Sequence, residues 1–129
     1  MPEIEMRVNV EQTANGSNTV PGAVLVYATF PDVETAESIG AALVEARLAA
    51  CANVFPGMRS TYRWQGKIEH DTEAAAFLKT RPELVPRIVG WLRIAHPYVN
   101  PAAVAIPCVS GSADFLAWIA AETEPARCG

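Results

Sequence analysis

The sequence predicts one α+β domain of the split β-α-β type, and three observations favour this class. The chain has 129 residues, near the ~150 residues typical of a single domain. Half of the residues are hydrophobic and 19% are charged, so the chain can form a packed core. Apolar segments with strand or helix periodicity follow one another in the order β-α-β-β-α-β-α, which is typical of an antiparallel sheet with both crossover helices on one face.

The first strand and helix have clear signals. Residues 24–28 (VLVYA) form an unbroken apolar run rich in strand formers, as expected of a central strand covered on both faces. Pro31 interrupts the run, and Asp32 is placed to cap a helix whose first turn contains the favourable acid Glu34. The helical stripe recurs every three to four residues, at Ala36, Ile39, Gly40, Leu43 and Arg47.

A long hairpin is predicted next, because residues 65–66 (QG) separate two strand-like segments. Glycine at the second position of a two-residue turn allows the positive φ that such turns require. This turn would place Trp64 opposite Lys67 and Tyr62 opposite Glu69.

The two arms of the hairpin differ in composition. Pro56-Gly57 is expected to break or bulge the first arm. Cations occupy the first arm and the turn while acids alternate along the second, so cross-strand ion pairs are expected. The acids would also share one side of a regular strand, where their oxygens suit a hard cation, but ladder pairing is the favoured interpretation. The residues concerned are Arg59, Arg63, Lys67, Glu69, Asp71 and Glu73.

The remaining elements are a second helix, a fourth strand and a last helix. Residues 80–83 (TRPE) match a capping box, so the second helix is expected to begin there, to bend at Pro86 and to end before Pro97. Residues 102–107 are expected to form the fourth strand, and Ser112 is expected to cap the last helix.

The termini fall outside this pattern. Residues 1–22 begin with apolar-polar alternation and continue with turn-forming composition, so they are expected to be either an added edge strand or a mobile tail. The domain is expected to span residues 23–121, and residues 122–129 are expected to form a C-terminal tail.

Charge and cysteine content argue against several classes of protein. The formal net charge of −4 has the wrong sign for a phosphate-neutralising surface, so no nucleic-acid partner is expected. No apolar run reaches the ~20 residues of a membrane span and residues 1–11 lack a signal-peptide pattern, so a cytoplasmic protein without a membrane partner is expected. Cys51, Cys108 and Cys128 are odd in number and lack a CxxC pattern, which favours free thiols.

A sheet with both helices on one face leaves its other face uncovered. Large exposed apolar patches are rare on monomers, and this sheet also carries an aromatic hairpin. We therefore expect a symmetric homo-oligomer.

Six segments in order resemble the CutA family of divalent-cation tolerance proteins, over roughly residues 23–121. They are residues 28–32 (ATFPD), 47–53 (RLAACAN), 62–69 (YRWQGKIE), 78–81 (LKTR), 96–98 (HPY) and 115–118 (FLAW). Each segment is weak alone, but six in order are hard to obtain by chance. The resemblance implies a ferredoxin-like fold assembled as a tight homotrimer, in which the hairpin embraces a neighbouring subunit.

The resemblance also implies a non-enzymatic role linked to copper and other divalent metal ions. The family trimer is similar to nitrogen-regulatory signalling trimers, which bind small ligands between subunits, so a ligand-responsive signalling trimer is the alternative. The copper site proposed for some members uses a thiol where this chain has Ala28 and a second histidine where it has Ala95. Only His96 of that set is present.

His96 and Cys51 are the candidate metal ligands. The imidazole of His96 follows a helix end, where it can bind a metal or, as the favoured alternative, interact with the negative end of the helix. Cys51, together with Cys108, offers a soft ligand for Cu(I). In a trimer, a strand end of one chain can approach a helix end of another.

Five other residues are candidates for binding or assembly. Glu69, Lys79 and Tyr98 are assigned provisionally to a ligand held in a cleft between subunits. Tyr62 and Trp64 share a strand face at i, i+2 spacing, and such aromatic anchors are enriched in interface cores. They are assigned to subunit contact.

A small hydrolase is the least favoured interpretation. The ferredoxin-like fold also hosts acylphosphatases, whose chemistry needs a glycine-rich, anion-binding loop with an arginine. Pro31-Asp32 follows the first strand here instead, and no known nucleophile motif surrounds a serine or cysteine.

Overall fold

The computed structural model describes residues 22–123. The rest of the predicted N-terminal segment, and Cys128 in the predicted C-terminal tail, lie outside the described residues. The elements are β1 (Val24–Phe30), α1 (Val33–Glu45), β2 (Cys51–Trp64), β3 (Lys67–Thr80), a 3-10 turn (Pro82–Leu84), α2 (Val85–Ala95), β4 (Ala103–Pro107) and α3 (Ala113–Glu122).

The four strands form one antiparallel sheet in the order β2-β3-β1-β4. Tyr27, at the centre of β1, lies opposite Phe77 of β3 on one side and Val104 of β4 on the other. β3 is therefore inserted between β1 and β2, the two strands that α1 connects. This order confirms the split β-α-β, ferredoxin-like fold. No helix within residues 22–123 has the length and hydropathy needed to cross a bilayer.

The two faces of the sheet differ in burial, as β1 illustrates. Its residues alternate strictly between buried and half-buried. Val26 and Phe30 belong to the core under the helices, where they meet Leu43 of α1 and Ile88 of α2. The sequence predicts that β1 is covered on both faces, but within the single chain only the face toward the helices is fully covered. We call the other side the open face; the strand register assigns to it Leu25, Tyr27, Phe55, Phe77, Val104 and Ile106.

Two of the three predicted helix caps are confirmed. The Asp32 carboxylate accepts from the Thr35 N–H at 2.7 Å, and the Ser112 hydroxyl accepts from the Phe115 N–H. The prediction of a capping box at residues 80–83 is wrong. Thr80 is the last residue of β3, and its buried hydroxyl donates to the Leu48 carbonyl at 2.6 Å.

The start of α2 explains the difference. A 3-10 turn precedes the helix, and Glu83 bonds Arg81 at 3.3 Å instead of reaching back to a helix cap. Pro86 lies in the first turn of α2, where a helix N–H has no acceptor to lose, so the expected disruption does not arise there.

The helix α3 packs at the end of the sheet where β1 begins. Ile119 is buried against Ala23 and Ala50. Arg81 donates from Nε to the Thr123 hydroxyl at 3.0 Å and from Nη2 to the Thr123 carbonyl at 3.1 Å. Arg47 donates to the Ala121 carbonyl at 2.9 Å. Cationic side chains thus bind carbonyls at the negative end of α3, a favourable arrangement.

Candidate functional site

A β-bulge in β2 determines which side chains of the hairpin lie on the open face. Phe55 is opposite Ala75 and Met58 is opposite Glu73, so Pro56 and Gly57 together face one residue of β3. Gly57 has φ +72°, a conformation that glycine adopts without strain. The extra residue returns Met58 and the alternate residues that follow it to the open face.

The turn completes this arrangement as the sequence predicts. Gln65 and Gly66 have φ values of 51° and 82°, as a type I′ turn requires. Trp64 lies opposite Lys67 and Tyr62 lies opposite Glu69, which confirms the predicted register.

A cleft of about 690 Å³ lies between the hairpin, the middle of β1 and the loop after α2. Its floor includes Tyr27, whose hydroxyl donates to the Met58 sulfur at 3.4 Å. Among its lining residues are four aromatic side chains and two carboxylates: Tyr27, Tyr62, Trp64, Tyr98, Asp71 and Glu73. Tyr98 brings the loop after α2 to the cleft, so three separate parts of the chain build it.

Each cleft carboxylate accepts a hydrogen bond from a tyrosine. The Tyr62 hydroxyl donates to Asp71, and the Tyr98 hydroxyl donates to Glu73 at 2.6 Å. The bond to Asp71, with burial and nearby acids contributing less, raises the pKa of Tyr62 to about 12. Burial first, and then the bond to Glu73, raise the pKa of Tyr98. Both tyrosines therefore remain hydrogen-bond donors at neutral pH, and they fix the two carboxylates.

His96 holds the loop that carries Tyr98. Its imidazole is buried and lies between the rings of Phe30 and Tyr98, each with centroids 4.7 Å away. The Nε2 atom is 2.6 Å from the Thr29 carbonyl, and Nδ1 is 3.1 Å from the Tyr98 backbone N–H. The neutral Nε2–H tautomer satisfies both contacts, so a metal could bind this ring only by displacing one of them.

The two predicted metal ligands lie far apart within one chain. Cys51 is opposite Lys79, which is opposite Leu25 near the start of β1. His96 bonds Thr29, ~13 Å further along that strand. Within residues 22–123, no group of three or more His, Cys, Asp or Glu side chains is arranged to hold a metal ion.

The three predicted ligand-binding residues are not brought together either. Glu69 and Lys79 lie near opposite ends of β3, ~30 Å apart on an extended strand. Lys79 instead lies over the Phe115 ring of α3, 5.0 Å from its centroid. Tyr98 contacts Glu73, four positions along β3 from the predicted ligand-binding residue Glu69.

Lys79 belongs to a second group of side chains at the α3 end of the sheet. Cys51 and Cys108 are free, half-buried thiols packed against the cluster around Ile119. Burial raises the pKa of Cys108, against a smaller opposing effect of Lys79. This environment favours the protonated, unreactive form of the Cys108 thiol.

The predicted ion pairs between the hairpin arms are absent among residues 22–123, where the ion pairs are Arg47–Glu122 and Arg81–Glu83. The register explains the error. Arg59 is opposite Thr72 and Arg63 is opposite Ile68, so both arginines point to the side opposite the acids. The hairpin therefore has an aromatic face with the three acids, which also carries Lys67 beside the turn, and an outer face that carries both arginines.

Sequence reasoning assigned Asp71 and Glu73 to these ion pairs and overlooked their place in the cleft. Their alternate spacing with Glu69 was the available signal. Their tyrosine partners come from a strand beyond a bulge and from a loop distant in sequence, so spacing alone did not reveal the pairs.

The fold and the cleft define a ferredoxin-like α+β protein with a potential binding site on the open face of its sheet. The chain belongs to the CutA1 divalent ion tolerance protein family, whose model matches residues 24–122.

Individual relatives agree with this assignment. The mouse "Protein CutA" is 41% identical over 112 residues, which are 86% of this chain and 63% of the mouse protein. This chain thus spans less than two thirds of that relative. The Thermus thermophilus "Divalent-cation tolerance protein CutA" is 40% identical over 77% of this chain and 96% of its own length. A crystal structure of CutA from Xylella fastidiosa superimposes with a TM-score of 0.77 at 41% identity, covering 80% of this chain and 99% of that one.

Proposed function

We propose that this protein is a non-enzymatic divalent-cation tolerance protein that acts as a homotrimer and binds a divalent cation or a small ligand in its hairpin cleft. The observation that carries this proposal is the pairing of Asp71 and Glu73 with Tyr62 and Tyr98. Two oriented carboxylates on one face supply oxygen ligands for a hard cation.

Assembly is supported by the composition of the open face. Phe55, Val104 and Ile106 are 49%, 56% and 42% exposed in the single chain. In the proposed trimer these side chains are buried between subunits, with Tyr62 and Trp64 of the hairpin adding aromatic contacts. The clefts then lie at or near the interfaces.

We propose copper as the ion for a second metal site between subunits, in which His96 of one subunit and Cys51 of another are the ligands. Their separation within one chain leaves only this intersubunit pairing. His96 would then give up either Thr29 or Tyr98 as a partner. The free state of the Cys51 thiol is compatible with this role and with the proposed cytoplasmic location.

Calorimetric titration of the purified oligomer with Cu²⁺, Zn²⁺ and Mg²⁺ tests these proposals. The Asp71→Asn/Glu73→Gln variant should lose binding at the cleft. The Glu34→Gln/Glu37→Gln variant, which removes two acids from α1, is the matched control and should bind as the wild type does. His96→Ala and Cys51→Ala test the intersubunit copper pair. Identical isotherms for all variants would refute both sites.

The size of the cleft favours the alternative of a ligand-responsive signalling trimer. A volume of about 690 Å³ lies within the ~300 to 1,000 Å³ range of small-molecule sites. Native mass spectrometry of the oligomer, isolated gently from cells, should then detect a bound metabolite.

A further inference from the structure

The chemistry of the hairpin cleft restricts the kind of small molecule that it can hold. Its lining includes the carboxylates of Asp71 and Glu73 and a single cation, Arg59. The register directs Arg59 toward the outer face with Thr72, whereas both acids share the open face. The interior is therefore acidic, and an anionic ligand would be repelled.

Aromatic side chains surround these acids. Tyr62 and Tyr98 each bond one of the carboxylates, and Tyr27 and Trp64 complete the set of rings along the cleft. An aromatic ring attracts a cation to its face, and a neighbouring carboxylate strengthens the attraction. Organic ammonium and guanidinium ions use both interactions, since they combine charge with N–H donors and apolar surface.

The tyrosine bonds leave the carboxylates able to accept more hydrogen bonds. A carboxylate has about four acceptor positions, and each tyrosine hydroxyl uses one. Asp71 and Glu73 are alternate residues of β3, ~7 Å apart along the backbone, and both side chains line the cleft. A group with several N–H donors can therefore donate to both carboxylates.

We infer that the cleft recognises a guanidinium or alkylammonium group, bound by Asp71 and Glu73 against the surrounding aromatic rings. This inference rests on the proposed function of the cleft as a binding site and specifies its ligand. The group has two possible sources: a free small molecule, or Arg63 from the outer hairpin face of a second copy.

A charged probe and its neutral isostere test the inference on the wild-type oligomer and on Arg63→Gln. In at least one of these two proteins, n-butylguanidinium should bind and change the tryptophan fluorescence, whereas n-butylurea, which has the same shape without the charge, should bind ~10-fold more weakly or not at all. The Asp71→Asn/Glu73→Gln variant should lose the preference, and Glu34→Gln/Glu37→Gln should keep it. Equal binding of the two probes to a protein that binds n-butylguanidinium would overturn the inference.

The Arg63→Gln variant distinguishes the two sources. If both proteins bind n-butylguanidinium equally, the group comes from a free ligand. If the wild type does not bind it and Arg63→Gln does, the cleft recognises the guanidinium of a neighbouring copy. Absence of binding to both proteins would refute the inference, even if the metal titration succeeds. Binding of the probe without binding of any metal would refute the divalent-cation proposal and leave the inference intact.

Discussion

Gly40 sets how closely α1 approaches β2. A Cβ at this buried position would lie 2.8 Å from the Cβ of Ala52, closer than ordinary contact allows. Gly40→Ala should lower the free energy of unfolding by about 1–2 kcal/mol, because overpacking outweighs the better helix propensity of alanine. Urea unfolding at fixed protein concentration measures this change.

Gly90 is the matched control in α2. It is exposed, and a Cβ there would meet no atom within 4 Å. Gly90→Ala should therefore stabilise the protein by about 0.5–1 kcal/mol. Equal effects of the two substitutions would contradict the close helix-strand contact.

The Tyr62–Asp71 pair makes a prediction about alkaline pH. The hydrogen bond raises the pKa of Tyr62 to about 12, from an ordinary value of ~10. Its stabilising effect is complete below pH ~10 and is lost as pH rises through about 12, because the unfolded chain ionises first. Asp71→Asn keeps an acceptor but removes the charge, so the pKa of Tyr62 should fall toward its ordinary value.

Tyrosinate absorbance in the near ultraviolet follows this titration directly. Of the three tyrosine transitions, that of Tyr62 should move most in Asp71→Asn, and that of Tyr98, whose pKa the charge of Asp71 also raises, should move less. Asp114→Asn, at the start of α3, should leave the titration unchanged. A wild-type curve already near the ordinary value for Tyr62 would show that the bond does not persist in solution.

At the scale of elements, α3 depends on a few polar contacts. Two Arg81 hydrogen bonds to Thr123 hold its C-terminal end. Arg81→Ala should weaken this attachment by about 2 kcal/mol, or ~30-fold in the local opening equilibrium. Amide hydrogen exchange across residues 113–122 should become faster, while β1 stays protected. Arg93→Ala on the exposed side of α2 is the control, and equal exchange in both variants would contradict the assigned anchoring.

Local signals predicted most of these elements well. Asp32 and Ser112 act as caps because their short side chains reach an N–H three residues ahead. The turn at residues 65–66 fixed the hairpin register, since a two-residue loop leaves one pairing. The prediction of a helix cap at Thr80 was wrong because the hydroxyl, which could cap a helix, donates instead to the carbonyl of Leu48, which is distant in sequence.

The candidate site was harder to predict than the fold. His96 and Tyr98 were identified from their sequence context, but their contacts with Thr29 and Glu73 depend on how a loop meets the sheet. The bulge at Pro56-Gly57 was expected, yet its effect on side-chain direction was not followed along the strand. The turn register itself places Arg63 opposite Ile68, on the side away from the acids, so the hairpin has two different sides instead of the predicted charge ladder.

At the scale of the whole molecule, the single chain has a buried core on one face of its sheet and an exposed apolar surface on the open face. The helices cover one face of the sheet, and α3 covers only the end of the other. The hairpin extends the sheet beyond the helices, with most residues from Phe55 to Thr72 exposed. Because the cleft is built on this same open face, assembly and ligand binding are expected to depend on each other.

Val104→Asp tests the assembly on which this argument depends. Val104 is 56% exposed on the open face, so a charge there should be tolerated in a monomer but should oppose burial between subunits. Sedimentation velocity should therefore show a smaller species than the wild type. Ile94→Asp, at an 89% exposed position on α2, should leave the oligomer intact. The wild-type melting temperature should also rise with protein concentration, since dissociation and unfolding are coupled. A wild-type monomer at all concentrations, or an unaffected Val104→Asp oligomer, would show that the open face is not the subunit interface.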